Sequence, residues 1–334
     1  MYHQTNLIAD TSAGGAQLVD PSMLNPWGLA FSATSPLWVS DNNSGLATIY
    51  SIPAGGTSVT KAGLTVTVQG GRTSTNDGSS PTGQVFNSTT GFVVTGTAGS
   101  GPALFIFDSE SGQISAWSPR ADPTNALVQF SSPTAVYKGL AIATTDEGTF
   151  LYAANFNAGT VDVFNSSFQQ VNLLGDFHDP FLPPDYAPFG IQELNGLLYV
   201  TYALQDAAKH DDVAGQGRGF VDIYTTNGLL VKRLASRGVL NAPWGLAQAP
   251  ASFGSLGGDL LVGNFGNGWI NAFNPITGRF EGSMLSDKGK PVAIDGLWGL
   301  KFGTASTGGT NTLLFSSGPN GQANGLIGSI NPAS

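Results

Sequence analysis

The chain of 334 residues contains no cysteine, so disulfides, thiolate-bound metals and cysteine nucleophiles are excluded. Charge is scarce: only 10% of residues are charged, and 13 Lys+Arg face 22 Asp+Glu for a net charge of −9. Nucleic acid and anionic membranes need clustered cations, and the densest basic stretch here is Lys232-Arg233 with Arg237, so neither is expected as a partner. No apolar run approaches a membrane span. Met1-Tyr2-His3-Gln4 does not read as a signal peptide, so an exported reading takes Met1 as a trimmed start. A Gly-x-Ser-x-Gly elbow is missing, and Gly215-Gln216-Gly217-Arg218-Gly219 has no helical pattern behind it, so no nucleotide is expected. What is plentiful is glycine, 46 residues with 19 prolines, beside 41% hydrophobic residues. That apolar share argues against disorder and supports a sizeable core.

The glycines fall in a repeat. Asn25-Pro26-Trp27-Gly28-Leu29-Ala30, Ala187-Pro188-Phe189-Gly190-Ile191 and Ala242-Pro243-Trp244-Gly245-Leu246-Ala247 share one pattern. Tyr137-Lys138-Gly139-Leu140-Ala141 and Leu297-Trp298-Gly299-Leu300 are weaker copies, and Thr90-Gly91-Phe92-Val93 reads as a degenerate one. The successive key glycines are 63, 48, 51, 55 and 54 residues apart. Each copy leads to an apolar strand such as Leu37-Trp38-Val39-Ser40. In most copies a polar turn and an alternating strand such as Val161-Asp162-Val163-Phe164 follow. Repeats of this length with three or four strands have the size of propeller blades. The expected fold is all-β, a six-bladed β-propeller forming one domain over residues 1–334. Asn6-Leu7-Ile8-Ala9 and Gly325-Leu326-Ile327-Gly328-Ser329-Ile330 should meet as N- and C-terminal strands closing the ring. The Gly-, Ser- and Thr-rich segment from Gly70 to Gly83 reads as the loop that lengthens the first interval.

On its Pro-aromatic-Gly-Leu starts and Leu-aromatic-Val-x-Asp/Asn-Asn turns, the chain resembles the broad group of six-bladed propellers with NHL repeats, gluconolactonase-like enzymes and the streptogramin lyase. A closer resemblance is to an uncharacterised family of bacterial exported proteins. It rests on Asp179-Pro180, Tyr186-Ala187-Pro188-Phe189-Gly190-Ile191-Gln192, Tyr199-Val200-Thr201-Tyr202-Ala203, His210-Asp211-Asp212-Val213-Ala214-Gly215, Gly219-Phe220-Val221-Asp222 and Asn241-Ala242-Pro243-Trp244-Gly245. This resemblance implies an extracellular or periplasmic protein. Where the lactonases of the group place metal-binding Asn or Asp, and the lyase-like propellers a His, this chain has Trp27, Lys138, Phe189, Trp244 and Trp298. Neither site carries over.

Those five residues should gather at one mouth of the central channel. The aromatics either bind a substrate body or wedge the blades apart. Lys138 needs a carboxylate or an anionic ligand if it is buried. The fourth repeat adds acids and two of the chain's three histidines in two loops: Asp176, His178, Asp179 and Asp185, then Asp206, His210, Asp211 and Asp212. His178, Asp179, His210 and Asp212 form a candidate divalent-cation site, calcium for example. Alternatively His210 is a general base oriented by Asp211, or the acids merely cap turns. Asp41, Asn42, Asn155, Asn264 and Asp295 should add polar groups around the same mouth. Three functions follow: a monomeric enzyme that hydrolyses or eliminates a small or oligomeric organic substrate, a non-catalytic ligand- or matrix-binding propeller, or a structural protein.

Overall fold

The computed structural model describes residues 1–56, 58–70 and 79–333. Among these, the helical segments are two short 3-10 turns, Ser12–Gly14 and Gly254–Leu256. No helix is long and apolar enough to cross a membrane. The rest is an antiparallel meander that repeats around a centre. In the fourth repeat, strands Tyr186–Leu194, Leu197–Leu204, Phe220–Thr225 and Leu230–Ser236 pair in sequence order. The innermost strands are Pro26–Ala30, Pro81–Phe86, Tyr137–Thr145, Tyr186–Leu194, Pro243–Gln248 and Leu297–Phe302. Each touches the next, and the last touches the first. The fold is therefore a β-propeller.

The repeat glycines set the spacing of this ring. A Cβ on Gly190 would stand 2.1 Å from the Trp244 carbonyl oxygen, and one on Gly245 2.5 Å from that of Trp298. The same holds for Gly299 against Trp27, at 2.7 Å, and Gly28 against Thr82, at 2.6 Å. Each inner strand thus presses its glycine on the backbone of its neighbour, where a side chain has no room. Pairing with the second strand shifts register around the same point, between Pro26 and Leu29, Tyr137 and Leu140, and Pro188 and Ile191. Such bulges re-aim a side chain. Here they free the residue before each glycine from the ladder.

The second repeat corrects the sequence reading. Its inner strand is Pro81–Phe86, and its glycine is Gly83, whose Cβ would lie 2.2 Å from the Leu140 nitrogen. Gly91 instead faces the Ser166 side chain, and Val93–Gly96 pairs with Gly99–Pro102 in a separate hairpin. Pro81-Thr82-Gly83-Gln84 keeps the proline and glycine of the motif but puts Thr where four of the others have an aromatic and one a lysine, which hid it. Gly83 lies 55 residues after Gly28 and 56 before Gly139, so the spacing becomes regular. The expected loop from Gly70 to Gly83 falls mostly outside the described residues, and its last residues enter that strand.

Ring closure follows the expectation. Tyr2–Ala9 pairs antiparallel with Leu326–Pro332, with Asn6 opposite Gly328 and Ala9 opposite Leu326. The outermost place in the last sheet is thereby filled from the other end of the chain. Apolar clusters sit between neighbouring sheets, as where Tyr199, Val221 and Ile223 meet Leu246, Leu260 and Val262.

Gly190→Ala should cost about 2–4 kcal/mol, because backbone rather than a flexible side chain blocks its Cβ. Gly63→Ala, with open space around it, should stay within about 0.5 kcal/mol. Denaturant midpoints of the two variants check the close-approach account; equal small effects would refute it.

Candidate functional site

Because the inner strands run in one direction, the residues before the glycines share one end of the channel. Trp27, Phe189 and Trp298 are buried there and Trp244 is half-buried. Trp27 and Trp298 stack at 3.4 Å, Phe265 also stacks on Trp298 at 4.0 Å, and Trp244 meets Trp27 edge-on at 5.9 Å. Phe156 packs against Phe189 at 5.3 Å. The predicted aromatic ring is thus a mutually packed plug. Its members touch one another before they touch anything entering the channel. Trp298 donates its indole N–H to Asn25, and Trp244 donates to the Lys138 carbonyl across the axis.

Lys138 breaks the aromatic series. Its side chain is only 2% exposed and forms an ion pair with Glu110. Asp211 lies 3.5 Å from the same ammonium. The rings of Trp27 and Phe156 lie 5.4 and 5.9 Å from it. A buried ammonium needs this much compensation: a carboxylate, a second carboxylate at the rim, and π-faces. Glu110 was not among the sequence candidates. It occupies the turn after Phe105–Ser109, the position that Asn42, Phe156 and Phe265 hold in other repeats. Aligning those turns is the signal that would have found it. Asn42 donates to Glu110 at 3.0 Å and so joins the cluster.

His210, Asp211 and Asp212 reach Lys138 because their loop is tied down. The Asp206 carboxylate accepts the backbone N–H of His210 at 2.9 Å and of Asp211 at 3.3 Å. Gln205 bridges to Asp212, and Lys209 takes the left-handed conformation, φ 55°, that turns the chain. The His210 Nδ1 then lies 2.9 Å from an Asp211 carboxylate oxygen. Burial opposes ionisation of Asp211, but the His210 hydrogen bond and the Lys138 charge outweigh it and hold that carboxyl below its usual range. Burial pushes the Asp212 carboxyl the other way, to about 6. One Asp212 oxygen is buried with no protein partner.

The remaining candidates divide. Asp41 is fully buried and accepts from Thr48, and burial raises its carboxyl well above the ordinary value. Asn155 and Asn264 staple their own turns: Asn155 donates to Asp162, and Asn264 accepts from the Asn241 N–H and donates to Val239. Asp295 is exposed and accepts from the Asn320 N–H. The proposed metal set is not assembled as written. Asp179 is buried in an ion pair with Arg233, which also faces Asp222 at 3.5 Å, and His178 is exposed beside it. The sequence placed both fourth-repeat loops at one mouth, but Asp179 packs on the outer strands of its sheet while His210 leans inward. The group whose atoms come together among the described residues is Glu110, His210 and Asp211, within 4.8 Å of one another. Carboxylate oxygens and imidazole suit a divalent ion. Lys138 already supplies positive charge to those oxygens, so an ion would compete with it.

Comparison with known proteins adds family and fold. No family model matches the chain. Two uncharacterised proteins of Acanthamoeba polyphaga mimivirus are each 33% identical to it. One match covers 97% of this chain and 79% of that protein; the other covers 93% and 81%. The chain belongs to the family of these viral proteins. Its structure is similar to virginiamycin B lyase from Staphylococcus aureus, with a TM-score of 0.52 and 14% identity over 100% of this chain and 99% of that one. It is also similar to a streptogramin B lyase, with a TM-score of 0.51 and 10% identity over 99% and 97%. At such identities the likeness shows a propeller fold alone. The expected bacterial and exported origin draws no support from relatives that are viral.

Two expectations follow. Lys138→Met should destabilise the fold by about 3 kcal/mol, since it removes the cation that pairs with the Glu110 carboxylate. Millimolar calcium should then raise the Tm of that variant more than that of the wild type; equal shifts would show that Lys138 and a cation do not compete. The second concerns pH. Burial raises the Asp108 and Asp222 carboxyls to about 7, so the folded state holds protons that the unfolded chain has released. Stability should therefore fall as pH rises from about 4 through about 7. Asp20, Asp122 and Asp211 are held below the usual range, and their contribution is lost as pH drops below about 4. The maximum should be mildly acidic, and Asp108→Asn should flatten its neutral limb in urea titrations across that range.

Proposed function

We propose that the chain is an enzyme of the propeller type that acts on a small organic substrate at the plugged mouth of its channel, with His210 as the proton acceptor. The observation that carries this reading is the linked series Glu110, Lys138, Asp211, His210. Glu110 holds the ammonium, the ammonium faces Asp211 at 3.5 Å, and Asp211 holds His210 Nδ1 at 2.9 Å. A carboxylate on one ring nitrogen fixes the tautomer and leaves the other nitrogen to take a proton. Among the described residues, His210 Nε2 has no hydrogen-bond partner, and the side chain is 42% exposed. Lys138 and Glu110 are positioning residues in this scheme, since the buried ammonium is already satisfied by carboxylates. The aromatic plug forms the floor on which the substrate body rests.

Two reactions suit one base and no protein nucleophile: elimination by removal of an acidic C–H proton, and hydrolysis by activation of water. The lyases that share the fold make elimination the first to test. A non-catalytic reading, ligand binding at the same rim, is favoured by one observation: the plug rings pack against each other and leave the site shallow.

The test uses virginiamycin B and a panel of lactones and aryl esters, with products read by mass spectrometry. Elimination opens a cyclic ester to an isomer of equal mass, whereas hydrolysis adds one water. Turnover should fall at least about a hundredfold in His210→Ala, as expected for loss of a general base. Asp211→Asn should lower kcat more than it raises KM. Full turnover in His210→Ala would overturn the assignment. Saturable binding across the panel with no product would establish the non-catalytic reading instead.

A further inference from the structure

Two buried carboxyl groups outside the candidate site meet over one cation. Asp222 stands on Phe220–Thr225, the third strand of the fourth repeat, and Asp179 in the segment that leads into that repeat's inner strand. Both are buried, Asp222 completely. Arg233, on the outermost strand, pairs with Asp179 and lies 3.5 Å from Asp222. The two carboxyl groups are also in hydrogen-bond contact with each other. Two carboxylate oxygens make such a contact only if one of them carries a proton. The buried Asp222 Oδ1 has no donor in hydrogen-bond geometry, as expected of an oxygen that holds the proton itself. Its Oδ2 accepts from the Tyr224 hydroxyl at 3.3 Å, which lies 2.7 Å from that of Tyr202. Burial and the Asp179 charge raise the Asp222 carboxyl to about 7, with Arg233 opposing them. Burial also raises Tyr202 and Tyr224, so both stay neutral. Asp179, Arg233, Tyr224 and Tyr202 are thus the titratable and charged groups that face Asp222.

Asp179 is also what ties its segment to the sheet by polar contact. Among the described residues, the other hydrogen bonds of 178–184 stay within 176–185. The Asp176 carboxylate accepts the His178 N–H, the Asp179 carboxylate accepts the Phe181 N–H, and the Asp179 carbonyl accepts the Leu182 N–H. Pro180, Pro183 and Pro184 offer no backbone donor at all. The residues at either end, Phe177 and Asp185, take left-handed φ values of 55° and 66°. For a bulky Phe that conformation is strained and must be held by its surroundings. Phe177 and Leu182 supply the apolar anchors, while Phe181 is 80% exposed. At the far end, the Asp185 carbonyl accepts the Gln205 N–H at 2.7 Å, one residue before the Asp206 that caps His210. A strained segment with few other ties is therefore pinned through a carboxylate whose neighbour can ionise.

We propose that Asp179 and Asp222 share one proton and that its loss to water releases the segment 178–184, which makes the pair a pH-operated latch. With the proton in place, one carboxyl, one carboxylate and one guanidinium balance in charge. Without it, two carboxylates in contact face a single guanidinium in a site removed from water. Asp179 is the member that can leave, because Asp222 is fixed within a sheet. Arg233 is then free to pair with Asp222. The closed form holds a proton that the open form releases, so closure is firm in acid and weakens as pH rises towards about 7. The latch requires no catalytic role for His210.

Hydrogen exchange of the full chain, read by mass spectrometry and corrected for the intrinsic effect of pH on exchange, tests this. From pH 5 to pH 8 the opening of residues 176–185 should increase at least about tenfold, while the core strand Leu260–Asn264 stays protected. Asp222→Asn keeps a neutral side chain of the same shape beside Asp179, and there the increase should shrink to below about threefold. Asp179→Asn removes the second charge instead and should cancel the dependence in the same way, which guards against a folding defect in either variant alone. Equal protection of 176–185 at both pH values in the wild type would overturn the proposal. So would an increase that persists in both variants, which would belong to His178 or another group, or one that Leu260–Asn264 shares equally, which would be global unfolding.

Discussion

Backbone-to-backbone contact between neighbouring inner strands is the constraint on which this molecule rests. Gly190 against Trp244 and Gly245 against Trp298 leave no space for a methyl group. The contact recurs around the ring, so the radius of the channel is fixed by main chain rather than by side-chain packing. A closed ring tolerates little error of this kind, because a displacement at one junction must be absorbed by all the others. That is why glycine survives at these positions although it weakens a strand.

The same constraint explains the closed end of the channel. Fixing the backbone fixes where the residue before each glycine must go. Five of these residues are large, and a narrow ring forces them into mutual contact. The result is the Trp27–Trp298–Phe265 stack and its edge-on neighbours. The closed, charged rim follows from that geometry.

Repeats made the propeller legible, and they also set the limits of what was legible. Gly28, Gly139, Gly190, Gly245 and Gly299 could be aligned by eye because an aromatic or a leucine accompanied them. Gly83 escaped because Thr82 and Gln84 replace those markers, although the close approach it makes is among the tightest. The strand-level pattern identified His210 with Asp211 and the anomaly at Lys138, but not that Glu110 joins them. That contact connects residues 28 apart in sequence through the side-by-side packing of two repeats, and periodicity within one repeat carries no information about it. The grouping of His178 and Asp179 with His210 failed for the converse reason. Membership of one repeat places residues near one sheet but does not say whether a loop folds over the axis or over the rim.

Lys138 and Lys301 show how burial sets what an ammonium requires of the fold. Both stand on inner strands and each ammonium faces an aromatic ring, but Lys138 is fully buried and Lys301 only partly. Only Lys138 has carboxylates within ion-pairing reach. A fully buried ammonium must be paired within the protein, whereas a partly exposed one can be met by water. Burial explains why Lys138 is surrounded by carboxylates, and Glu110 is the one that pairs with it most closely. Lys301 is only partly buried and needs no such partner. The depth at which an ammonium sits, rather than its charge alone, therefore decides whether the fold must supply carboxylates for it.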